Sequence, residues 1–598
     1  LLSLYELQAI PGFTEQTWQM LRPFITVRPA TTLDIGEGPT QIPSFRQIVS
    51  QGRFTFIQRL QQSLEAFHEG RGWMPEPPLS QALGPPQRLY TRLQLQAGPY
   101  FSAALIGEKD PYEPLFWRPA QRYYGYDFVS GHIAIGEMGE LKRLVLGDFI
   151  LQVGQGLVFA RGLGFGKGGE PILTLKQPSF GLVPYTSVNE YQFGRGAAAT
   201  LQLSPRWELT ALAARQRQSA TLADSLDELP RAATLLLTGL HRTPSEFARR
   251  GTLLQEGLGG VLTWRKRWHS AGFTALYQRF TPMLDLSTNE PYRLFAFHGK
   301  ENFLYSGFWD FTLANLNFFG EAAQSRSGGK AISSSIIAAL HPTLDVALQL
   351  RHFDPQFHSF YAYTFAERSY AVQNEQGIYL GLRVRPTPRW EITAFHDLYR
   401  FLWYQYRLNT PAEGHENLFQ LTYTVRKKLQ IYLRVRHEVR PYNEPAEQAA
   451  SPLYRTILHA RTAMRLHGMY EIQPSWRYQT RVEVVRYHSD TLFWGYLFYQ
   501  ELRWQPRPRW SLVVRWVGYA IPDYDARIYT FEPMPPTTFA IPGFYGVGHR
   551  YFLLLKVQMS RAWTLWLRWG ENTFYLPVDK EHRRVQEALL QVRYQIGG

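Results

Sequence analysis

Arginine is the residue type in this sequence whose number and spacing best suit chemistry, namely the binding of anions. Arginines recur on the polar side of alternating apolar and polar runs, and they include Arg383, Arg434, Arg436, Arg461, Arg465, Arg481, Arg515, Arg568 and Arg593. The planar guanidinium group makes paired hydrogen bonds with phosphate and carboxylate groups. If these polar sides face a common interior, the arginines would form a basic binding surface for a polyanion. The alternative is that they pair with acids such as Glu391, Glu483 and Glu587 and only order that interior.

The other residue types that do chemistry form no recognisable catalytic motif. The 16 histidines are scattered, and neither a His-Glu-x-x-His nor a Gly-x-Ser-x-Gly spacing occurs. The sequence contains no cysteine, which excludes disulfides and thiolate metal sites. Glu108, Lys109 and Asp110 follow a strand-like run and are typical of a solvated loop. A triad assembled across strands would leave no local signature. The sequence therefore predicts a protein that is not an enzyme and has no cofactor and no metal site.

A glycine- and proline-rich stretch interrupts the strand-like pattern at about residues 153–188. It contains the glycine run from Arg161 to Gly169 and three prolines, Pro171, Pro178 and Pro184. Such a composition disfavours both a helix and a strand ladder, so we expect a plug or loop folded into the interior. Glycine-rich runs also cradle phosphates, but this one lacks the Gly-Lys-Ser/Thr ending of a nucleotide-binding loop.

The elements that must position these residues are β-strands, because apolar and polar residues alternate from about Gly52 to the C-terminus. At residues 510–516, one side of the run carries Trp510, Val514 and Trp516, and the other carries Arg515. The same alternation occurs at residues 429–436, 563–569 and 588–596. No stretch reaches the roughly 18 to 20 apolar residues that a membrane-spanning helix requires.

Three features favour a transmembrane barrel over a soluble β-sandwich. Trp or Tyr occupies several strand ends, as at a membrane interface, and the polar sides are rich in Arg and Gln. Proline precedes tryptophan in four turn-like segments, Pro205-Arg206-Trp207, Pro388-Arg389-Trp390, Pro474-Ser475-Trp476 and Pro508-Arg509-Trp510. Residues 50–598 are therefore predicted to form an all-β outer-membrane barrel of roughly 22 to 26 antiparallel strands, at about 10 residues each. The formal net charge of +15 suits anionic partners, including the lipid and lipopolysaccharide of that membrane.

Residues 1–30 have a different spacing of apolar residues, which predicts a small α-helical hairpin. Apolar residues recur there at helical spacing, namely Leu4, Leu7, Trp18, Leu21 and Ile25. Pro11-Gly12-Phe13-Thr14 would form the turn, with Thr14 capping the second helix, and this segment resembles helix-hairpin-helix motifs. That resemblance implies contact between backbone N–H groups and a DNA phosphate. The segment departs from the family pattern at Thr14, where a second glycine is usual, and at Glu15, where a basic residue would help. A docking module is the alternative.

A longer resemblance covers residues 128–203. The segments that carry it are Gly131-His132-Ile133, Leu146-Gly147-Asp148-Phe149, Gly154-Gln155-Gly156-Leu157, the stretch from Pro184 to Glu190 and the stretch from Arg195 to Ala199. These segments are similar to those of the large helix-hairpin-helix outer-membrane proteins of the Bacteroidetes group. The resemblance implies an outer-membrane barrel with its N-terminal hairpin in the periplasm. It also implies a function related to that of competence-type DNA receptors.

Two functions of different classes remain open from the sequence. The first is an outer-membrane channel or receptor for a polyanionic ligand, with DNA uptake as the leading candidate. The second is a structural or scaffold barrel whose helical hairpin docks a periplasmic or outer-membrane protein. A continuous arginine surface from hairpin to interior would favour the first, and an apolar hairpin without a basic rim would favour the second.

Overall fold

The computed structural model describes residues 45–64, 81–160, 166–223, 230–288, 290–444, 454–576 and 581–597. The predicted N-terminal hairpin module at residues 1–30, with Pro11, Gly12, Phe13 and Thr14, lies outside the described residues. The described α-helices are short, α1 (Phe45–Gln51) and α2 (Pro244–Ala248), and 3-10 turns occupy Pro119–Gln121, Leu173–Leu175 and Pro291–Arg293. Within these ranges, no helix is long and apolar enough to cross a bilayer.

Almost all regular structure in the described residues is β-strand. In chain order the strands are β1 (Arg53–Ser63), β2 (Arg88–Ala97), β3 (Phe101–Lys109), β4 (Trp117–Arg118), β5 (Tyr123–Tyr124), β6 (Phe128–Met138), β7 (Leu141–Gln152), β8 (Gly181–Pro184), β9 (Gly194–Ser204), β10 (Trp207–Gln218), β11 (Ala220–Ala223), β12 (Arg231–Leu235), β13 (Leu253–Lys266), β14 (His269–Asp285), β15 (His298–Leu313), β16 (Leu316–Ser325), β17 (Lys330–His341), β18 (Leu344–Phe353), β19 (Glu375–Thr387), β20 (Trp390–Phe401), β21 (Ala412–Val425), β22 (Leu429–Asn443), β23 (Thr456–Gln473), β24 (Trp476–His488), β25 (Leu492–Arg507), β26 (Trp510–Ile521), β27 (Ile528–Tyr529), β28 (Gly543–Phe544), β29 (Gly546–Gln558), β30 (Trp563–Leu576) and β31 (Glu581–Ile596).

A 24-strand antiparallel ring is formed by the described strands, and it closes on itself. The first strand, β1, pairs with β2 on one side and with β31 on the other, from Phe54 opposite Ile596 to Ser63 opposite Glu587. Closure leaves no strand edge unpaired, as a bilayer requires of any sheet that crosses it. The strands β4, β5, β8, β11, β12, β27 and β28 are short additions outside this ring. The prediction of an all-β barrel with roughly 22 to 26 strands is confirmed.

The two faces of the ring have opposite chemistry. In β30, Leu567 and Trp569 are exposed on the outer face, whereas Trp566 and Arg568 are buried on the inner face. Buried polar side chains on inward positions of other strands include Thr274, Gln278, Asn302, Ser306, Glu321 and Gln591. An apolar exterior around a polar interior reverses the arrangement of a soluble β-protein and matches a barrel whose outer surface contacts lipid.

One rim of the barrel carries short turns and a belt of aromatic residues. All four proline-tryptophan segments predicted as turns join consecutive strands there, for example β19 to β20 and β25 to β26. The tryptophan of each turn meets a residue of the neighbouring strand, and the rings of Trp476 and Trp504 lie 5.5 Å apart. Trp390 similarly contacts Tyr423 at 4.8 Å. Aromatic belts of this kind sit at the membrane interface, and the described chain is a transmembrane β-barrel.

The opposite rim carries the long connections between strands. They span residues 110–127, 153–193, 219–252, 354–374 and 522–545. The start of β1 and the end of β31 both lie at the rim with the short turns, because those two strands pair antiparallel from Phe54 and Ile596 onward. A ring of this size leaves a lumen that is too wide for the side chains of the wall to fill. The long connections are the segments that can occupy this space.

We expect the cost of an arginine on the outer face to depend on its depth in the bilayer. Leu433 lies four residues into β22 from the aromatic belt and is 39% exposed to lipid. Leu433→Arg should destabilise the barrel by about 2–4 kcal/mol, because the guanidinium is forced into hydrocarbon. Ile596→Arg, at the rim and 55% exposed, is the matched control and should cost no more than about 1 kcal/mol. Urea unfolding in lipid vesicles measures both, and equal costs would contradict the assigned membrane position.

Candidate functional site in the barrel lumen

Two connections from the long-loop rim fold back into the lumen. We call the described residues 153–160 and 166–193 the glycine-rich segment and residues 527–544 the lumenal hairpin. The glycine-rich segment follows β7, yet it contacts β20 and β21, and the strands from β10 to β19 separate these positions around the ring. It therefore crosses the lumen rather than following the wall.

The first part of the glycine-rich segment is held by a carboxylate on the wall. The backbone N–H groups of Gln155 and Leu157 donate to Oε2 of Glu321, at 2.8 and 3.0 Å. Gly154 has a φ of +61°, and a Cβ at this position would lie 2.6 Å from the same Glu321 oxygen. Only glycine permits both that backbone conformation and that approach. The glycines predicted to disfavour regular structure thus allow the backbone to reach a buried acid.

Lys167 fastens the middle of the glycine-rich segment in a cage of acids. Its Nζ lies 2.5 Å from Asp397, 2.6 Å from Glu367 and 3.5 Å from Glu416. Asp397 is shared with Arg351, whose Nη1 lies 2.7 Å away. The cage joins the segment to the barrel wall and to the connection between β18 and β19, which supplies Glu367.

Electrostatics in the cage favours the charged forms of Lys167 and Glu367. Burial opposes the charge on Lys167, but the carboxylates of Glu367 and Asp397 outweigh it and raise the pKa of the lysine. Burial likewise opposes the charge on Glu367, and Lys167 and Arg440 more than compensate, so the pKa of Glu367 is lowered. A buried charge is tolerated only with such partners, and removing one partner leaves the others uncompensated.

The lumenal hairpin is a small antiparallel ribbon packed inside the last third of the barrel. Ile528 pairs with Phe544 and Tyr529 with Gly543, and the N–H of Glu532 donates to the carbonyl of Ala540 at 3.0 Å. The side chains of Ile528 and Phe544 are fully buried in a cluster with wall residues such as Tyr519. A ribbon of two strands needs such support, because alone it is marginally stable.

Arginines of the barrel wall bind the outer edge of the lumenal hairpin. Three guanidinium groups, from strands β23, β24 and β26, donate to the carbonyls of alternate hairpin residues. Arg461 donates to the carbonyl of Arg527 at 3.1 Å. Arg481 donates to the carbonyl of Tyr529 at 3.0 Å, and Arg515 donates to the carbonyl of Phe531 at 2.6 Å. We call these three residues the arginine ladder. In an extended strand the carbonyls of alternate residues point the same way, so the ladder satisfies an edge that would otherwise be unpaired inside the lumen.

Glu532 anchors the hairpin beyond the ladder. Its carboxylate is completely buried and accepts two hydrogen bonds from Arg550, at 2.7 and 3.0 Å. It also pairs with Arg568, which in turn contacts Glu587 of the wall at 2.6 Å. Further along, the carbonyl of Thr537 accepts from Arg59 at 3.4 Å. The hairpin is thus bound by guanidinium groups along most of its length.

The structure places the nine arginines singled out from the sequence in the interior, in three groups. Arg461, Arg465, Arg481, Arg515 and Arg568 lie together around the lumenal hairpin, with Arg434 beside them on Gln420 at 2.7 Å. Arg436 pairs with Glu416 of the lysine cage at 2.8 Å, and Arg383 pairs with Asp345 at 2.8 Å and with Glu170 of the glycine-rich segment at 3.2 Å. Arg593 stands apart near the short-turn rim, 3.4 Å from the hydroxyl of Thr564.

Most of these arginines have partners within the chain itself. Of the acids named as alternatives, Glu483 pairs with Arg465 at 2.7 Å, and Glu587 pairs with Arg568. Arg383 contacts Asp345 and Glu170 rather than Glu391. As the structure stands, the arginines hold the lumen closed, and their role toward an external ligand stays a prediction.

The sequence did not point to several residues of the site, among them Arg351, Arg550, Lys167 and Glu532. Arg351 and Arg550 each lie two residues from a buried inward residue of the same strand, Gln349 and Phe552 respectively. The two-residue period of the strands could therefore have predicted that both arginines face inward. Lys167 and Glu532 carry no such signal, because each lies in an irregular connection whose partners are distant in sequence.

Comparison with known proteins gives no family for this chain. No protein-family model matches the sequence, and no curated protein matches it. Solved structures with a related strand arrangement include the siderophore receptor PirA from Pseudomonas aeruginosa, with 8% identity and a TM-score of 0.43 over 92% of this chain and 81% of that chain. PirA from Acinetobacter baumannii gives 7% identity and a TM-score of 0.42 over 92% of this chain and 81% of that chain. The ferripyoverdine receptor of Pseudomonas aeruginosa gives 8% identity and a TM-score of 0.41 over 91% of this chain and 72% of that chain. At these values the likeness assigns neither a family nor a ligand.

We expect Lys167 to contribute strongly to the stability of the closed lumen. Lys167→Met should lower the free energy of unfolding by about 3–5 kcal/mol, since three buried carboxylates lose a shared ammonium group. Lys176→Met in the same segment is the matched control. Its partner Asp310 lies 2.7 Å away at a partly exposed site, so the loss should stay below about 1 kcal/mol. Denaturant unfolding of the purified barrel in detergent compares the two, and equal losses would show that the cage does not hold the segment.

Proposed function

We propose that this barrel is an outer-membrane receptor for an anionic ligand, with the arginine ladder as its binding surface. The lumenal hairpin occupies that surface in the closed state and is displaced when a ligand competes for it. The observation that carries the proposal is the hydrogen bonding of Arg461, Arg481 and Arg515 to neutral carbonyl groups. Guanidinium groups bind anionic oxygens about twice as strongly as neutral ones, so a ligand with regularly spaced phosphates or carboxylates would outcompete the backbone.

The balance of charge around the lumenal hairpin supports the same conclusion. The wall arginines that contact residues 527–532 of the hairpin, or the acids beside them, are Arg461, Arg465, Arg481, Arg515, Arg550 and Arg568. The wall acids that pair with them are Glu483, Glu501 and Glu587, whereas Glu532 belongs to the hairpin. Withdrawing the hairpin therefore leaves six arginines facing three wall carboxylates, and this positive surface would attract a polyanion.

The connections that fill the lumen make the receptor gated rather than open. The hairpin and the glycine-rich segment both come from the long-loop rim, so each can leave the lumen without disturbing the strand ring. The energy for leaving must come from the ligand, because a ligand shifts such an equilibrium only by its preference for one state. Binding at the ladder supplies that preference directly.

DNA is the polyanion to test first, because the N-terminal hairpin resembles a DNA-binding motif. In outer-membrane barrels the rim with short turns faces the periplasm, and β1 starts at that rim. We therefore place the segment before Arg53, including Pro11, Gly12, Phe13 and Thr14, on the periplasmic side. There it would receive a polyanion that leaves the lumen.

The competing function is a structural barrel whose lumen stays closed. The observation in its favour is that Glu532, Glu483 and Glu587 already neutralise much of the basic wall. In that case the N-terminal hairpin docks a protein and the arginines serve only to seat the lumenal hairpin. The two functions differ in whether a polyanion moves the lumenal hairpin.

We expect a polyanion to expose a buried position of the lumenal hairpin. The chain has no cysteine, so Ile528→Cys introduces a single thiol at a side chain that is 0% exposed. Its labelling by a water-soluble maleimide should be slow in the free protein and several-fold faster with polyphosphate or single-stranded DNA. The increase should disappear as salt rises from about 50 to 200 mM, since phosphate contacts are screened.

The matched control is Ile521→Cys, which is equally buried in the same cluster but lies on strand β26 of the wall. Its labelling should not respond to polyphosphate. Arg515→Gln should weaken polyphosphate binding, because it removes one of the three guanidinium groups of the arginine ladder. If neither polyanion changes the rate of maleimide labelling of Ile528→Cys at low salt, the result would contradict the receptor proposal and favour the structural barrel.

A further inference from the structure

Two connections of the long-loop rim, residues 110–127 and 219–252, meet at a cluster of polar side chains outside the lumenal site. Asp127 directly precedes β6, Ser219 follows β10, and His241 lies between β12 and α2. Asp127 is far in sequence from Ser219 and His241, and it meets them because the connections between β3 and β6 and between β10 and β13 come together at this rim. Asp127 and His241 are buried, whereas Ser219 is partly exposed.

The cluster has the order carboxylate, imidazole, hydroxyl. Nδ1 of His241 lies 2.6 Å from Oδ2 of Asp127, and Nε2 lies 2.8 Å from Oγ of Ser219. In the tautomer that these partners require, Nδ1–H donates to the carboxylate and Nε2 accepts from the serine hydroxyl. This is the geometry that lets a histidine take a proton from serine while an aspartate orients the ring and stabilises its positive charge.

Surrounding groups hold the aspartate and the histidine in place. Nε of Arg250 lies 3.0 Å from Oδ1 of Asp127 and forms an ion pair with that carboxylate. The backbone N–H of His241 donates to Oε1 of Glu113 at 2.9 Å. Burial, together with the neighbouring Asp127, raises the pKa of Glu113 to about 9.

The same residues could be taken for a metal site, because Glu113, Asp127 and His241 offer ligand atoms within 4.8 Å of one another. Their atoms are already engaged, however. Both ring nitrogens of His241 have hydrogen-bonding partners, and the two oxygens of Glu113 accept from the backbone N–H groups of Asp110 and His241. A cation would have to break these bonds, so the donor set fits proton transfer better than metal binding.

We propose that Ser219, His241 and Asp127 form a hydrolytic site for carboxylic esters at the long-loop rim. The Ser219 oxygen attacks the ester carbonyl carbon, and its proton passes to Nε2 of His241. The bond from carbon to the alcohol oxygen then breaks, and the imidazolium protonates the departing alcohol. A water molecule attacks the acyl-serine in the same way, which releases the carboxylic acid and restores the serine hydroxyl.

Features around the nucleophile indicate the class of substrate. The backbone N–H of Gly251 donates to Oγ of Ser219 at 3.4 Å. Leu222 and Leu237, on the same connection as Ser219, expose their side chains and supply an apolar surface. An ester with a hydrocarbon acyl chain fits this combination of an activated hydroxyl and an apolar rim.

We expect the intact barrel in detergent to react covalently with a fluorophosphonate at Ser219 and to hydrolyse p-nitrophenyl butyrate. Peptide mapping by mass spectrometry should find the phosphonate on Ser219, and Ser219→Ala should abolish both signals. Asp127→Asn should retain the serine but slow hydrolysis by roughly 10⁴-fold, because the ring loses its orientation and its charge partner. A merely structural network would not give this pattern.

Ser245→Ala is the matched control, since Ser245 is an exposed serine on the neighbouring helix α2. It should leave both labelling and hydrolysis unchanged. Heat-dependent mobility on a gel checks that each variant still forms the closed barrel. Absence of phosphonate labelling in a folded wild-type barrel, or labelling that survives Ser219→Ala, would overturn the proposal and leave the cluster as a lock between loops.

Discussion

Every backbone N–H and C=O group within the hydrocarbon of a bilayer needs a partner from the protein, and this constraint governs the rest of the structure. It requires that the strands form a closed ring, so the first strand pairs with the last along most of its length. Closure also determines the faces of every strand, because side chains alternate between lipid and lumen. The apolar exterior, the aromatic belt and the inward arginines are consequences of that single requirement.

A ring of 24 strands creates a second problem, since its lumen is too wide to be filled from the wall. The chain fills it with connections from one rim, and these bring unpaired backbone groups into the interior. Charged wall residues satisfy them: Glu321 accepts two N–H groups, and the arginine ladder donates to three carbonyls. Contacts of this kind are strong enough to seat a segment. They are also open to competition by an anion, because a guanidinium prefers phosphate or carboxylate to a neutral carbonyl.

The same architecture explains why polar clusters form at the mouth of the barrel. Connections that are distant in sequence come together there because the closed ring brings them to one rim. Asp127 meets Ser219 and His241 in this way, whereas Lys167 reaches its cage by crossing the lumen. A rigid ring therefore positions side chains on irregular chain with hydrogen-bonding accuracy, which loops alone would not achieve.

The sequence by itself determined the strands, their two faces and the short turns, because each is a local property of the backbone. Alternation at residues 510–516 and 563–569 predicted which residues face lipid, and the proline-tryptophan segments predicted the turns of one rim. The same alternation placed the nine arginines in the interior. Only the tertiary structure decided what those arginines touch, since the lumenal hairpin has no periodic pattern and Lys167 lies 230 residues before its partner Asp397. Contacts across a lumen depend on the closure and width of the ring, and no short stretch of sequence encodes either.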